Sequence, residues 1–333
     1  MIIYKHPLFD RFRCIAGQCP DSCCKEWSVC VDPDAAAFYR KLPGELGERL
    51  RQVLREEDAD TVMTIENGRC PMWRQDGLCR IQAELDHDAL CKTCREFPRL
   101  THDYGSFQEW GLELSCPEAA RMLLNTTPSA PMQMEIPGGE PGDYDEEIMA
   151  ILRESRQEAF ALLGQDRPIG EILASVLLYA YQVQAALDGD VLEQFHPDAA
   201  LETARAFAAK ANHQPILDFF KGLEILAPQW SDRLDHPSPA PWQRPHLTLA
   251  HYFIDRYWLQ AVSDYDLVCR VKFMLISCLV VKILGGDLVQ TAQRYSKEIE
   301  NNPDNVEAIL DAAYNCPAFT DDKLLGLLLE EAL

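Results

Sequence analysis

Apolar side chains recur at helical spacing through most of the second part of the chain, predicting helices at about 143–164, 168–187, 190–211, 213–226, 245–263, 265–285, 288–300, 303–313 and 320–332. Asp188-Gly189-Asp190 and Gly285-Gly286-Asp287 read as glycine stops followed by an N-cap for the next helix, turns rather than phosphate loops. Pro228 to Pro245, with five prolines and the tryptophans Trp230 and Trp242, reads as the one long loop. The longest apolar run, Phe273 to Leu284, contains Lys282, follows Arg270 and Lys272, and falls short of the roughly 20 residues a bilayer span needs. It is expected to be a buried helix.

Before residue 125 the period is weaker. Phe38, Leu42, Leu46, Leu50 and Leu54 stand four apart with Pro43-Gly44 among them, predicting two short helices or one broken one. Asn67-Gly68 and Asp76-Gly77 favour tight turns, which places Cys70 and Cys79 on or beside loops or a small hairpin. Ile81 to Leu90 can form a short helix leading into CKTCREFPR, where Pro98 stops continuation. Proline and glycine cluster from Asn125 to Asp143 and no period survives there. The expected fold is therefore mainly α: a cysteine-rich, turn-rich N-terminal metal or cluster module over 1–125, a Pro/Gly linker over 126–142, and an acidic multi-helix domain over 143–333.

Composition sharpens this picture. With 333 residues, 47% hydrophobic and 25% charged, the chain can bury a core in two ordinary domains or one large one. The 53 acidic residues outnumber the 31 basic ones, a formal charge of -22, and 32 of the acidic against 15 of the basic residues lie beyond residue 125. Such a field disfavours nucleic acid and anionic membranes and favours lysine-bearing partners. The opening MIIYKHPLFDRFRC lacks a basic leader and apolar stretch, so a cytoplasmic location with reduced thiols is expected.

Ten of the 13 cysteines fall between Cys14 and Cys116, a density that in a reducing compartment points to metal, cluster or redox chemistry. The run is Cys14-x4-Cys19-x3-Cys23-Cys24, then Cys30, Cys70-x8-Cys79, Cys91-x2-Cys94 and Cys116. Thiolates are soft ligands for zinc, iron and iron–sulfur clusters, and short spacings let one loop present two sulfurs to one centre. Cys23 and Cys24 would diverge on extended backbone, implying two centres or one packing residue. Cys269, Cys278 and Cys316 read as small buried hydrophobes, as do Cys30 and Cys91.

The strings CIAGQCPDSCCKEWSVCVD, RCPMWRQDGLCRIQAEL, TCREFPR and LELSCPEAARMLL, spread over about residues 4–125, resemble the flagellin lysine N-methylase family. That family is itself similar to a broader group of zinc- or iron-chelating proteins with a CxxCxxCC signature. The resemblance implies transfer of methyl groups from S-adenosylmethionine to lysine side chains of flagellin, with a [4Fe-4S] cluster required, zinc being the alternative. It implies Cys14, Cys19, Cys23, Cys24, Cys70, Cys79, Cys94 and Cys116 as the metal-binding set; Cys30 and Cys91 lie outside the family pattern. The spacing is not the Cx3Cx2C of radical S-adenosylmethionine enzymes, because position 26 is Glu26.

Methyl transfer to a lysine amine, ordinarily protonated at neutral pH, requires a group that takes up its proton. Asp32, Tyr104, Glu109 and Glu113 are candidates, and no catalytic residue is singled out. Trp27, Asp32, Arg95 and Arg99, close to the cysteines, are candidate cofactor-binding residues that support the centre or meet the donor. No Gly-rich loop follows a predicted strand, so the dinucleotide-type cradle is absent. The eight histidines form no ligand pair at helical spacing. Two rival functions keep the module without methylation: a zinc- or iron-binding protein whose centre only staples the fold, and an iron–sulfur redox carrier.

Overall fold

The computed structural model describes residues 1–57 and 60–330; the end of the helix expected to reach 332 lies outside the described residues. The N-terminal part carries more β-structure than its turn-rich sequence predicts. Its strands are β1 (Ile2–Lys5), β2 (Val29–Cys30), β3 (Leu54–Glu57), β4 (Asp60–Met63), β5 (Arg99–Asp103) and β6 (Phe107–Leu112), and β7 (Met132–Glu135) follows. Four form a sheet in the order β5-β6-β1-β7, with β1 parallel to β6 and antiparallel to β7. The other three form an antiparallel sheet in the order β2-β4-β3. The stretch 126–142 thus contributes a strand to the first sheet.

Among the helices, α1 (Pro33–Lys41) and α2 (Gly44–Val53) are two short ones, separated where Pro43 precedes Gly44 at φ 78°. Next come α3 (Arg80–Glu84), α4 (Lys92–Glu96) and α5 (Pro117–Leu124). The helical array continues with α6 (Glu146–Leu163), α7 (Ile169–Leu187), α8 (Pro197–Phe207), α9 (Gln214–Lys221) and α10 (Pro228–Asp235). It closes with α11 (Arg244–Tyr257), α12 (Leu267–Leu284), α13 (Leu288–Tyr295), α14 (Pro303–Asn315) and α15 (Asp321–Leu328). A 3-10 turn, Trp258–Val262, follows α11, and a π-helical turn, Ser296–Glu300, follows α13.

Two expectations change. The segment 228–245 is not one loop: Pro228 takes the first helical position of α10, where its missing N–H costs nothing, and Trp230 and Leu234 bury one face. The helix expected over 190–211 is confined to α8, because Gly189 (φ 106°) ends the preceding helix and Pro197 starts the next. As expected, α12 is buried almost all round, packed by α7, α11, α13 and α14. Its internal cations are matched: Arg270 pairs with Asp264 at 2.8 Å, and Lys272 with Asp321 at 2.8 Å. It stops at Gly285, φ 62°, where a Cβ would stand 1.8 Å from the carbonyl oxygen of Ser238. Among the described residues α7 alone has the length and apolar composition to cross a membrane, and 61% of that window is buried within the fold.

The apolar residues form two cores. A small one joins Val29, Tyr39, Leu50, Met63, Met72, Ile81 and Cys91. The large one draws Phe107, Leu114, Cys116 and Leu123 together with the helical array. The N-terminal cysteines belong to both cores, with Cys70 and Cys91 in the small one and Cys116 in the large one.

Candidate functional site

Every cysteine of the chain is a free thiol. Cys23 is the hub of the N-terminal set: Cys24 adjoins it, and Cys19, Cys70, Cys79, Cys94 and Cys116 all lie within electrostatic reach of its sulfur. Cys14 lies within electrostatic reach of Cys19 and Cys24 of Cys94, and Cys91 stands beside Cys94. The eight cysteines of the family pattern and Cys91 are thus linked in one connected group. Cys23 and Cys24 do not diverge, because they occupy a turn rather than extended backbone. Cys30 is exposed on β2, not a buried packing residue. Cys269 and Cys278 are buried, as expected.

Local structure explains the gathering. Asn67 (φ 51°) and Gly68 (φ 74°) make the expected tight turn, bridged by Glu66 and Arg69. This turn lets the Cys70 N–H donate to the Cys24 carbonyl at 2.7 Å and the Glu26 N–H to the Gly68 carbonyl at 3.1 Å. Cys79, Cys91 and Cys116 occupy the N-caps of α3, α4 and α5, so that three helix starts bring these residues into the cysteine region.

Crowding works against ionisation. The neighbouring Cys24 sulfur pushes the Cys23 thiol up, although Cys23 is exposed at the surface. Burial raises Cys70 to about 11 and Cys116 to about 12. Within the Cys91–Cys94 pair the shared hydrogen bond lowers Cys91 to about 7 and raises Cys94. A soft cation among these sulfurs would reverse that preference, because metal binding favours the thiolate. Among the described residues no three His, Cys, Asp or Glu side chains stand close enough, as they lie, to hold one ion. The donor set is all thiol, which fits zinc or an iron–sulfur cluster by chemistry.

The helical array grips the cysteine loop. Lys297, 1% exposed in the π-helical turn, reaches Asp21 at 3.2 Å, Glu26 at 3.1 Å and the Ser22 carbonyl at 3.1 Å, with its ammonium 4.5 Å from the Trp27 ring centre. Arg294 pairs with Glu26 at 2.8 Å, and the Gln293 amide donates to Asp21 at 3.2 Å and to the Ser115 carbonyl at 2.7 Å. Glu26 sits at φ 79°, a conformation that L side chains resist, and these partners hold it there. Burial opposes the Asp21 charge, yet Lys25 and Lys297 bring its carboxyl down to about 2. Sequence reading missed Lys297, since a lysine in an amphipathic period reads as surface charge.

Of the candidate cofactor-binding residues, Trp27 lies under Lys297 and packs on Phe97 with ring centroids 6.3 Å apart. Asp32 caps α1 through Ala35 N–H at 3.0 Å and accepts from Lys92 N–H at 2.7 Å, tying α1 to the Cys91–Cys94 loop. Arg95 donates to the carbonyls of Asp88 and Leu90, both at 3.4 Å. Arg99 lies over Phe9 and Phe12, 5.4 and 5.3 Å from their ring centres.

The other proton-acceptor candidates surround a second polar centre, between the four-stranded sheet and α11. Glu109 accepts both Arg156 nitrogens, at 3.0 and 2.5 Å. Glu113 is buried, takes the Ser115 hydroxyl at 2.7 Å, and is raised by burial. Burial raises Tyr104, whose hydroxyl has no partner among the described residues. His6, His102 and His251, from three separate elements, line one cavity there, a meeting that linear spacing does not reveal. His251 stacks on Phe160 with centroids 4.1 Å apart. Burial, then the charges of His6 and Arg156, lower it to about 4.

Unfolded histidine titrates near 6.5, so between that value and about 4 the unfolded chain takes up a proton that folded His251 refuses. Its contribution to stability is intact above that window and is lost as pH falls through it. From about pH 7 to about pH 4.5, His251→Phe is expected to lose about 2 kcal/mol less in urea unfolding than the natural chain. Parallel losses would remove His251 from this account.

Three curated relatives align with the chain. A lysine-N-methylase of Salmonella typhimurium is 31% identical over 122 residues, 34% of this chain and 30% of that protein. A lysine-N-methylase of Salmonella choleraesuis is 31% identical over 121 residues, again 34% of this chain and 30% of its own length. The flagellar biosynthetic protein FliU of Salmonella muenchen is 31% identical over 121 residues, 34% of this chain but 72% of that protein. No family model and no solved structure matches the chain. With 72% of FliU matched at that identity, this chain belongs to the flagellin lysine N-methylase family.

Proposed function

We propose that the protein transfers methyl groups from S-adenosylmethionine to lysine side chains of flagellin in the cytoplasm, using a thiolate-held iron–sulfur cluster. The observation that carries the proposal is the connected group of nine thiols around Cys23, in a chain related to proteins named lysine-N-methylases. Cys14, Cys19, Cys23, Cys24, Cys70, Cys79, Cys94 and Cys116 would hold the cluster, and Cys91 stands beside them. A bound cluster would supply a redox-active or Lewis-acidic centre. The chain's own residues have two tasks: Lys297, Arg294 and Asp32 hold the cysteine loops in place, and the polar centre beneath α11 offers neutral imidazoles and carboxylates to an amine. The excess of acidic residues beyond position 125 supports attraction of a lysine-bearing partner.

Coexpression with flagellin in a host lacking its own methylase, followed by intact-mass measurement, tests this reading. Flagellin is expected to gain whole methyl increments only beside protein carrying iron and sulfide. Unmodified flagellin beside fully loaded protein would favour a non-catalytic staple or a redox carrier instead.

A further inference from the structure

The cavity beneath α11 has a volume of about 130 Å³. It has room for several waters, or for a short aliphatic chain. Its walls include Leu8, Leu112, Leu123 and Trp110, and its polar groups include His102 and Asp255. An apolar wall with a polar end matches an amphipathic side chain that buries its stem and carries one charged tip.

The charges around it do not cancel. Glu109 is spent on Arg156, and Arg256 is matched by Glu300 at 3.1 Å and donates to the Tyr252 hydroxyl oxygen at 2.6 Å. Asp255 makes no side-chain hydrogen bond or ion pair among the described residues; at longer range it acts on Arg156, a cation already paired with Glu109, and so is the one carboxylate of the lining without an ion-pair partner. Arg11, also on the lining, is exposed at its surface, where water and salt screen it. Glu113, behind Arg256, is driven toward its neutral form by burial. His102 has a buried Nε2 with no partner, and burial together with Arg256 and Arg156 keeps its ring neutral, so that in the tautomer protonated on Nδ1 it is a free acceptor. His6 accepts the Leu8 N–H on Nδ1 at 3.1 Å, which leaves its Nε2 carrying the proton. On the far side of His102 an open groove is lined by Asp103, Glu140 and Asp143 and by no lysine or arginine side chain. Met1, also on that groove, has its amine tied to the Ile136 and Gly138 carbonyls.

We infer that this cavity seats a primary alkylammonium group, the side chain of the substrate lysine, with Asp255 balancing its charge and His102 accepting a hydrogen bond from it. The inference rests on the lysine-methylation reading for the identity of the amine and deepens it by locating the acceptor side chain away from the cysteines.

Titration of the full chain with n-butylammonium chloride at fixed ionic strength, followed by calorimetry and by the imidazole NMR signals, tests it. Saturable binding is expected, at least about tenfold tighter than n-pentanol and at least about tenfold weaker in Asp255→Asn. In the natural chain the His102 and His251 signals are expected to move along the same saturation curve, a readout that needs no variant. Absence of saturable binding, equal binding by Asp255→Asn, or saturation that leaves both imidazoles unmoved would overturn the assignment. Flagellin methylated equally by Asp255→Asn and the natural chain would overturn the cavity and leave methyl transfer standing. Amine binding that meets these criteria supports the cavity even where flagellin stays unmodified, an outcome that removes the methylation reading alone.

Discussion

Lys297→Met is expected to destabilise the protein by roughly 3 kcal/mol and to loosen the cysteine loop, because the change strands two carboxylates around a vacated cation. Removing one partner of a buried ion pair costs about 3–5 kcal/mol, since the remaining charge keeps its desolvation penalty without its compensation. The lower end applies here: the side chains of Asp21 and Glu26 are 13% and 15% exposed, and Lys25 and Arg294 remain beside them. Methionine fills the volume over Trp27, so lost packing contributes little. Urea unfolding followed by circular dichroism measures the effect. A loss within about 1 kcal/mol would mean that Lys297 does not anchor the loop. Proteolysis of the folded protein should in addition cut earlier between residues 14 and 27, as local opening of that segment becomes cheaper.

The second large effect concerns the centre itself. Cys23→Ser, purified anaerobically and reconstituted with iron and sulfide, is expected to hold less than about a tenth of the iron of the natural chain, since a serine hydroxyl is a hard, weakly acidic donor where a soft thiolate is required. Cys23 is chosen because more thiols respond to it than to any other residue of the group. Cys316→Ser, in the linker between α14 and α15, is the control and should load normally. Normal iron and sulfide content in Cys23→Ser would remove Cys23 from the ligand set. If zinc replaces iron in the natural chain as isolated, with no visible absorption, the centre is the alternative one.

How far the sequence discloses this architecture depends on the range of the interaction. The helices from α6 onward are legible because each buries one face at its own 3.6-residue period, and α12 is legible because it is apolar nearly all round. The prolines of 228–245 conceal α10 because the same residue type that ends a helix also begins one; Pro228 followed by Trp230 and Leu234 four residues apart was the available signal. The four-stranded sheet is hidden for a different reason. Ile2 pairs with Phe107 and with Glu135, and four residues of IIYK carry no pattern that names partners more than a hundred positions away.

The candidate site divides along the same line. The cysteine set shows in linear spacing, and so do the turns at Asn67-Gly68 and Asp76-Gly77 that position two of its members. The extended backbone assumed for Cys23 and Cys24 was a local guess that the turn overrode. Neither the hold of Lys297 on Asp21 and Glu26 nor the convergence of His6, His102 and His251 has any linear signature, because each joins elements far apart in the chain. Among the proton-acceptor candidates, Glu109 and Glu113 reach the polar centre, but it is Asp255, in a helix with no motif, that has no ion-pair partner among the described residues.

The π-helical turn at Ser296–Glu300 faces both centres. Its Lys297 enters the cysteine loop, and its Glu300 receives Tyr252, Tyr257 and Arg256 on the cavity side. The two halves of the chain are therefore not interchangeable parts. A chimaera grafting residues 1–125 onto another protein's C-terminal half must import Lys297 and its π-helical turn with them, or it inherits Asp21 and Glu26 as orphaned acids at the seam.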